Sequence, residues 1–113
     1  MEKLTVVKIG GGVLEDSSEM EAFLDQFVKM EGKKILVHGG GREASKMMEK
    51  LGIPNRMVDG RRITDAQTLD VVMMVYGGLI NKRTVATLQV RGINAIGLTG
   101  ADAGLIIAKK RPV

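Results

Sequence analysis

The chain has 113 residues, which is enough for one compact domain and too few for a second one. With 44% hydrophobic and 27% charged residues the composition is that of an ordinary globular protein, and the absence of cysteine excludes disulfides and thiolate metal sites. The formal net charge is +4, but only 3% of the residues are aromatic and no basic stripe with interleaved aromatics occurs, which argues against nucleic-acid binding.

We expect no targeting segment at the N-terminus. Met1 and the acidic Glu2 lead directly into an apolar run, without the longer stretch of a secretory signal. No run approaches the roughly 20 apolar residues that a membrane helix requires. We therefore expect a cytoplasmic protein that does not bind or cross a membrane.

The first predicted element is a buried strand over residues 4–9, because this run is short, apolar and β-branched and ends at the triple glycine Gly10-Gly11-Gly12. A helix follows, for which Ser18 and Glu21 predict a capping box and Gly32 predicts the end. Its apolar residues recur at helical spacing and are Met20, Phe23, Leu24, Phe27 and Val28.

The same order recurs in the next segment. Residues 35–37 form a second apolar run, which ends at the triple glycine Gly39-Gly40-Gly41 and leads into an amphipathic helix that stops at Gly52 and Pro54. Both glycine turns thus follow a strand and precede a helix. In open α/β sheets this is where ligands bind, so we expect the two turns to face one crevice.

A long helix is predicted next. Thr64 and Gln67 form a second capping box, and apolar residues continue at helical spacing over 69–88 until Gly92. Gly77-Gly78 within it costs about 1 kcal/mol per glycine relative to alanine, so a kink or a close approach of another backbone should compensate.

Two further strands are predicted at residues 93–98 and 105–108, separated by a turn-rich segment. The order β-α-β-α-α-β-β favours an α/β sandwich with a largely parallel sheet. No repeat or linker interrupts it, and residues 54–62 come nearest to a flexible joint. We predict one unit over residues 1–113.

A phosphate site is predicted where the glycine turns meet, because glycine lets several backbone N–H groups converge on an anion and the following helix adds partial positive charge. Lys8 lies two residues before Gly10, where its ammonium could stabilise a phosphoryl group in transfer; a strand-end lysine that only reaches water is an equally good interpretation of the spacing. In Arg61-Arg62 a guanidinium could bind a carboxylate in a bidentate pair, although exposed arginines are usually only solvated.

Other ligand motifs are weaker. No G-x-x-x-x-G-K-[ST] occurs, which excludes a Walker-type loop. The segment Gly39-x-Gly41-x-x-Ala44, with Asp59 about 20 residues beyond it, matches the short dinucleotide fingerprint. That fingerprint normally follows the first strand, however, and it leaves Lys8-x-Gly10-Gly11 unexplained.

Metal and hydrolase sites are not predicted. His38 is the sole histidine and no carboxylates cluster near it in the sequence. Paired catalytic carboxylates, a Ser/His/Asp set and a nucleophilic cysteine are also missing. Phosphoryl transfer to a carboxylate requires no catalytic base, because the acceptor is already ionised at neutral pH. The protein has only to position the reactants and neutralise charge.

Four segments in this order resemble acetylglutamate kinases of the amino acid kinase family, and together they span nearly the whole chain. They are Val7-Lys8-Ile9-Gly10-Gly11, Val37-His38-Gly39-Gly40-Gly41, Gly60-Arg61-Arg62-Ile63-Thr64 and Asn81-Lys82. A lysine before two glycines also opens aspartate, uridylate and carbamate kinases. The combination of histidine-triple-glycine with Gly-x-Arg-x-Thr points to the glutamate branch.

The resemblance implies transfer of the γ-phosphoryl group of ATP, bound with Mg²⁺, to the side-chain carboxylate of N-acetyl-L-glutamate in arginine biosynthesis. It implies that Lys8 is the catalytic lysine that stabilises the transferring group. It further implies that Gly10-Gly11 and Gly40-Gly41 hold phosphate and substrate through N–H groups. Arg62 would bind the substrate α-carboxylate, and no residue of this chain would bind a metal.

The resemblance also implies a three-layer α/β/α sandwich with a mainly parallel sheet, of which this chain is the N-terminal, acyl-amino-acid-binding part. A homodimer through the long helix around Gly77-Gly78 would follow. By the same resemblance, we expect these residues not to include the nucleotide-binding half, and we expect the chain alone to be inactive. Two alternatives stay open, a standalone module that binds an N-acyl amino acid and dimerises, and a dinucleotide-binding domain.

Overall fold

A computed structural model describes residues 2–112. In chain order its elements are β1 (Leu4–Ile9), α1 (Gly11–Glu15), α2 (Ser17–Lys29), β2 (Lys33–His38), α3 (Gly41–Lys50), β3 (Met57–Val58), β4 (Arg61–Arg62), α4 (Ala66–Val72), a π-helical segment (Met73–Ile80), α5 (Asn81–Val90) and a 3-10 turn (Asp102–Gly104). Within residues 2–112 no helix has the length and apolarity needed to cross a membrane.

Strands β1 and β2 form a parallel pair, connected through α1 and α2, and the predicted α/β class is confirmed. Leu4 lies opposite Lys33 at one end of the pair and Ile9 lies opposite His38 at the other. Both strands therefore end level with each other. The two glycine turns leave the sheet side by side at its carboxyl edge, as the sequence predicted.

The predicted strands at 93–98 and 105–108 are wrong: neither is assigned as a strand in the structure. Residues 93–98 keep the alternation that suggested a strand, and Ile93 and Ala95 pack on the core below the sheet. Backbone carbonyls of this segment accept hydrogen bonds from side chains and not from the backbone of a neighbouring strand. Leu98 O accepts from Asn81, and Gly97 O accepts from Lys82. Alternation predicts which face a side chain occupies, but not which group takes the backbone bond.

The segment 54–62, which came nearest to a flexible joint in the sequence, contains a small antiparallel hairpin formed by β3 and β4. Asp59 and Gly60 connect the strands with φ of 50° and 73°. Positive φ at both central residues is the geometry that an Asp-Gly turn favours, since it matches the twist of the strands. The hairpin brings Arg62 back toward α3.

Both predicted capping boxes are wrong, because an aspartate beside each takes the cap. Asp16 Oδ1 accepts from the N–H groups of Ser18 and Glu19, and Asp65 Oδ1 accepts from Thr68 N–H at 2.8 Å. A carboxylate is both an acceptor and a negative charge at the positive end of the helix. The hydroxyl hydrogen bond of Ser18 and the N–H of Glu19 lower the pKa of Asp16.

The long helix is confirmed. At Gly77-Gly78, where a kink was one of two expectations, the helix adopts the wider π-helical form. Helical φ and ψ at the junctions make residues 66–90 continuous through the π-helical segment that contains Gly77-Gly78. A Cβ on Gly77 would lie 3.0 Å from Thr99 Cγ2, whereas one on Gly78 would meet nothing within 4 Å. The close approach at Gly77 thus involves a side chain. Gly92, with φ of 82°, follows the helix as predicted.

Two apolar clusters form the core. One lies between α3 and the long helix, and its buried members are Ala44, Met48, Val71, Val75 and Ile80. The other joins α2 to α5 through Leu24, Phe27 and Leu88, with Val7 and Leu36 packed on it from the sheet. Only this face of the sheet is covered by the described residues. The opposite face is exposed and carries Leu4, Val6, Ile35 and Val37.

Candidate phosphate and carboxylate site

The two glycine turns form one edge of the candidate site. Because Ile9 is in register with His38, the chain leaves β1 at Gly10 beside the place where it leaves β2 at Gly39. Neighbouring strands lie about 4.8 Å apart, so the turns are within reach of a single small ligand. Helix α3 starts at Gly41, and its N-cap, Gly40, offers no side-chain acceptor. The first N–H groups of α3 are therefore free of a side-chain cap, as anion binding requires.

Gly40 is the residue of the second turn that must be glycine. Its φ of 155° and ψ of 21° lie outside the regions that L side chains adopt readily. A Cβ there would also lie 2.5 Å from Ile80 Cδ1 and 3.1 Å from Tyr76 Cδ1. The turn is thus pressed against the long helix. At Gly10 and Gly11 a Cβ would meet nothing within 4 Å, so the first turn faces open space.

Lys8 lies on β1, opposite Val37 and two residues before the first turn. Its side chain is exposed, and no ion pair or hydrogen bond to its ammonium occurs within residues 2–112. This geometry suits a lysine that meets a phosphoryl group and a lysine that reaches water equally well. The catalytic role of Lys8 stays a prediction.

Arg62 is brought to the second glycine turn by the hairpin. Its Nη2 donates to Gly41 O at 2.8 Å and to Ser45 Oγ at 2.8 Å, and its Nε donates to Asn55 Oδ1 at 3.1 Å. Nη1 has no hydrogen-bond partner within residues 2–112. Arg62 is half-buried rather than simply solvated, and it retains one N–H pair with which to bind an anion.

Three residues at this site were not singled out from the sequence. Ser45 and Asn55 bond to Arg62, and Tyr76 places its Oη 3.5 Å from where a Cβ of Gly41 would be. Tyr76 is the chain's single tyrosine and precedes Gly77-Gly78, a signal that could have drawn attention to it. Ser45 and Asn55 carry no comparable signal, because ten residues separate them and only the fold joins them.

An ion-pair group ties together the helices that follow the two turns. Arg42 Nη1 on α3 donates to Glu15 Oε2 on α1 at 2.8 Å, and Lys46 Nζ lies 3.6 Å from Glu15 Oε1. The hydrogen bond from Arg42 is the main cause of the lowered pKa of Glu15. These two cations are thus already paired with a carboxylate, unlike Lys8 and Arg62.

His38, Asn81 and Lys82, which carry part of the family resemblance, meet in one hydrogen-bonded group. His38 Nδ1 lies 2.9 Å from Gly39 O, so this nitrogen carries the proton and Nε2 accepts from Asn81 Nδ2 at 3.2 Å. Lys82 Nζ donates to Asn81 Oδ1 at 3.0 Å and to Gly97 O at 2.9 Å. The group fastens residues 97–98 to the end of β2 beside the second turn.

The geometry gives little support to a dinucleotide site or to a metal site. Asp59, the acidic residue of the dinucleotide fingerprint, lies at the exposed tip of the hairpin instead of at the end of a neighbouring parallel strand. Among residues 2–112 no three His, Asp or Glu side chains lie close enough together to hold a metal ion.

The sequence model described as the amino acid kinase family matches residues 3–112. The chain belongs to this family. It is 59% identical to the acetylglutamate kinase of Bacteroides fragilis, over 99% of this chain and 43% of that protein. It is 50% identical to the acetylglutamate kinase of Methanopyrus kandleri, over 96% of this chain and 41% of that protein.

A solved structure has a similar fold. The chain matches the crystal structure of smu.665 from Streptococcus mutans UA159 with a TM-score of 0.61 and 26% sequence identity, over 80% of this chain and 37% of that one. The chain thus spans less than half the length of the relatives that it matches.

Proposed function

We propose that these residues form the substrate-binding part of a kinase that transfers the γ-phosphoryl group of ATP to the side-chain carboxylate of N-acetyl-L-glutamate, a step of arginine biosynthesis. The observation that carries the proposal is the 2.8 Å bond from Arg62 Nη2 to Gly41 O. It puts a guanidinium with a free N–H pair beside uncapped N–H groups, at the edge of the sheet where the strand with Lys8 ends.

The chemistry asks the protein for positioning and charge stabilisation. One oxygen of the side-chain carboxylate attacks the γ-phosphorus, the bond from that phosphorus to the β,γ-bridging oxygen breaks, and ADP leaves. No proton has to move, because the carboxylate is ionised. Lys8 neutralises charge on the transferring group, Gly10-Gly11 and Gly40-Gly41 donate N–H groups to phosphate and substrate, and Arg62 binds the α-carboxylate. ATP enters as its magnesium complex, and among residues 2–112 no three His, Asp or Glu side chains are grouped to hold a metal ion.

A chimera provides the test. The 112 aligned residues of this chain replace their counterparts in the Bacteroides fragilis acetylglutamate kinase, to which they are 59% identical. The acyl phosphate formed from ATP is trapped with hydroxylamine. We expect turnover of N-acetyl-L-glutamate by the chimera and none by the 113-residue chain alone. Absence of product with every N-acylated glutamate or aminoadipate, while the parent enzyme is active, would sink the proposal.

Lys8→Ala in the chimera should lower kcat by roughly 10²-fold or more and leave KM for the acyl amino acid within a few-fold, because a charge aimed at the transition state does not bind the ground state. Steady-state kinetics at saturating ATP measure this split. Lys3→Ala is the matched control, because Lys3 is also an exposed lysine but lies just before β1, at the opposite end of the strand from the glycine turn. Equal effects of the two substitutions would contradict the role of Lys8.

A second candidate is a binding and dimerisation module without chemistry. The long helix favours this candidate, because it exposes the apolar side chains of Leu69, Met73 and Met74. Together with Gly78, where a Cβ would meet nothing within 4 Å, they offer a surface for a second copy. Calorimetry and a sizing column test this second candidate. No heat with N-acetyl-L-glutamate together with monomeric behaviour would rule out the module.

A further inference from the structure

Ser45 and Asn55 close a ring of hydrogen bonds around Arg62. Arg62 Nε donates to Asn55 Oδ1 at 3.1 Å, Asn55 Nδ2 donates to Ser45 Oγ at 3.0 Å, and Arg62 Nη2 donates to the same Oγ at 2.8 Å. The three residues come from the hairpin, from the loop after α3 and from α3 itself. The ring therefore joins three separate parts of the chain at one guanidinium.

The donors and acceptors of this ring admit one arrangement. A guanidinium only donates, so the amide of Asn55 must turn Oδ1 toward Arg62 and Nδ2 toward Ser45. The Ser45 hydroxyl then accepts twice, and its own hydrogen points at Gly41 O, 3.0 Å away. Each partner is oriented by the other two.

The ring fixes the direction of the part of Arg62 that stays free. Nε and both hydrogens of Nη2 are occupied by Asn55, Ser45 and Gly41. Because the guanidinium is planar and rigid, holding these two nitrogens determines where Nη1 points. Without the ring, an arginine side chain would have to lose much of its rotamer freedom on binding a ligand.

We propose that Ser45 and Asn55 are positioning residues, which hold Arg62 so that Nη1 meets the α-carboxylate of an N-acylated amino acid; this rests on the proposed function. Neither residue touches the substrate. The ring also connects the two sides of the site, since Gly41 accepts from Arg62 and Ser45 through its carbonyl while its own peptide opens the first turn of α3.

The test uses two ligands that differ only in the α-carboxylate, N-acetyl-L-glutamate and 4-acetamidobutanoate, titrated into the 113-residue chain by NMR. Ser45→Ala and Asn55→Ala should each lower the affinity for N-acetyl-L-glutamate roughly 3–10-fold and leave the affinity for 4-acetamidobutanoate unchanged. Ser45→Thr, which keeps the hydroxyl, should restore binding. In a protein that already carries Arg62→Ala, the addition of Ser45→Ala should not weaken the binding of N-acetyl-L-glutamate any further. Equal weakening of both ligands, or of neither, overturns the proposal.

Thr87→Ala is the matched control, because the Thr87 hydroxyl makes the same bond to the carbonyl four residues earlier, here Arg83 O at 2.8 Å, away from the ring. It should change neither affinity. Circular dichroism establishes that each variant folds.

A ligand-free measurement separates this proposal from the proposed function. The Arg62 Nε–H signal should report an ordered side chain in the wild type and a mobile one in Ser45→Ala and Asn55→Ala. An Nε–H that stays equally ordered in both variants overturns the positioning role. Wild-type protein that binds neither ligand, yet shows the order and its loss, would overturn the proposed function and the carboxylate target while leaving the ring intact.

Discussion

At the scale of single residues, Gly40 and Gly39 differ although they are neighbours in one turn. Gly40→Ala should lower the free energy of unfolding by roughly 1–3 kcal/mol, because the new methyl would meet Ile80 and Tyr76 in a backbone conformation that strains any L side chain. Gly39→Ala should change it by less than about 1 kcal/mol, since a Cβ there meets nothing within 4 Å. Urea unfolding measures both. Equal losses would show that the turn is constrained in some other way.

The aspartate caps give the chain a pH dependence. The backbone hydrogen bond from Thr68 is the main cause of the lowered pKa of Asp65. A carboxylate with a lowered folded-state pKa adds stability above its unfolded pKa of about 3.9, and this stability is lost as the pH falls through the folded value.

Asp65→Asn keeps a side-chain acceptor at the N-cap but cannot titrate. The wild type should therefore lose more stability than this variant between pH 5 and pH 3, which appears as a larger fall in Tm. Thermal unfolding at both pH values measures the difference. Asp70→Asn, within the same helix but away from its N-terminus, is the control and should follow the wild type.

Much of the site was predictable at this scale and part of it was not. Lys8, the glycine turns and Arg62 lie in segments whose spacing carries information, and the fold brings Arg62 to Gly41. Ser45, Asn55 and Tyr76 acquire a relation to the site only through tertiary contacts. The aspartate caps were accessible, but a neighbouring Ser-x-x-Glu or Thr-x-x-Gln pattern obscured Asp16 and Asp65.

At the scale of elements, the long helix contains two adjacent glycines with different surroundings. Gly78→Ala should raise the free energy of unfolding by about 0.5–1 kcal/mol, because it removes the entropic cost of glycine and meets nothing within 4 Å. Gly77→Ala should gain less, since its Cβ would lie 3.0 Å from Thr99 Cγ2.

Sedimentation at several concentrations makes the Gly78 variant a test of the homodimer as well. If two copies pack through this face, the added methyl should weaken their association while it stabilises each copy. A variant that associates as strongly as the wild type would contradict a dimer through Gly78.

Helices and strands differed in how well the sequence predicted them. Helical spacing extends over many residues, so the apolar residues from 69 to 88 sufficed to predict a helix that includes the π-helical segment. The segment 93–98 has the alternation of a strand, yet Asn81 and Lys82 take its carbonyls. The Asp59-Gly60 hairpin was missed although Asp-Gly is a strong local signal, because two-residue strands give no periodicity to support it.

At the scale of the whole molecule, the sheet has one covered and one exposed apolar face, and the two should respond differently to the same substitution. Val6→Thr combined with Val37→Thr should reduce self-association with little change in stability, because both side chains are exposed and threonine suits a strand. Val7→Thr should cost about 1–2 kcal/mol, because Val7 packs on the buried cluster of α2 and α5 and its new hydroxyl would have to lose water.

Light scattering against concentration and urea unfolding measure these two responses. A double variant that scatters as much as the wild type would show that self-association, if present, uses another surface. A stable Val7→Thr variant would mean that the covered face is less tightly packed than it is in the structure.

The register of the two strands has a consequence for Lys8. Side chains alternate along a strand, so Lys8 stands on the same face as Leu4 and Val6 and next to Val37. A protein segment that comes to lie on this apolar surface also removes water from around the ammonium. The field of that single positive charge then acts through a medium of lower dielectric constant, where it reaches an anion more strongly than across bulk water. Covering the exposed face of the sheet would therefore also strengthen the attraction between Lys8 and a bound anion.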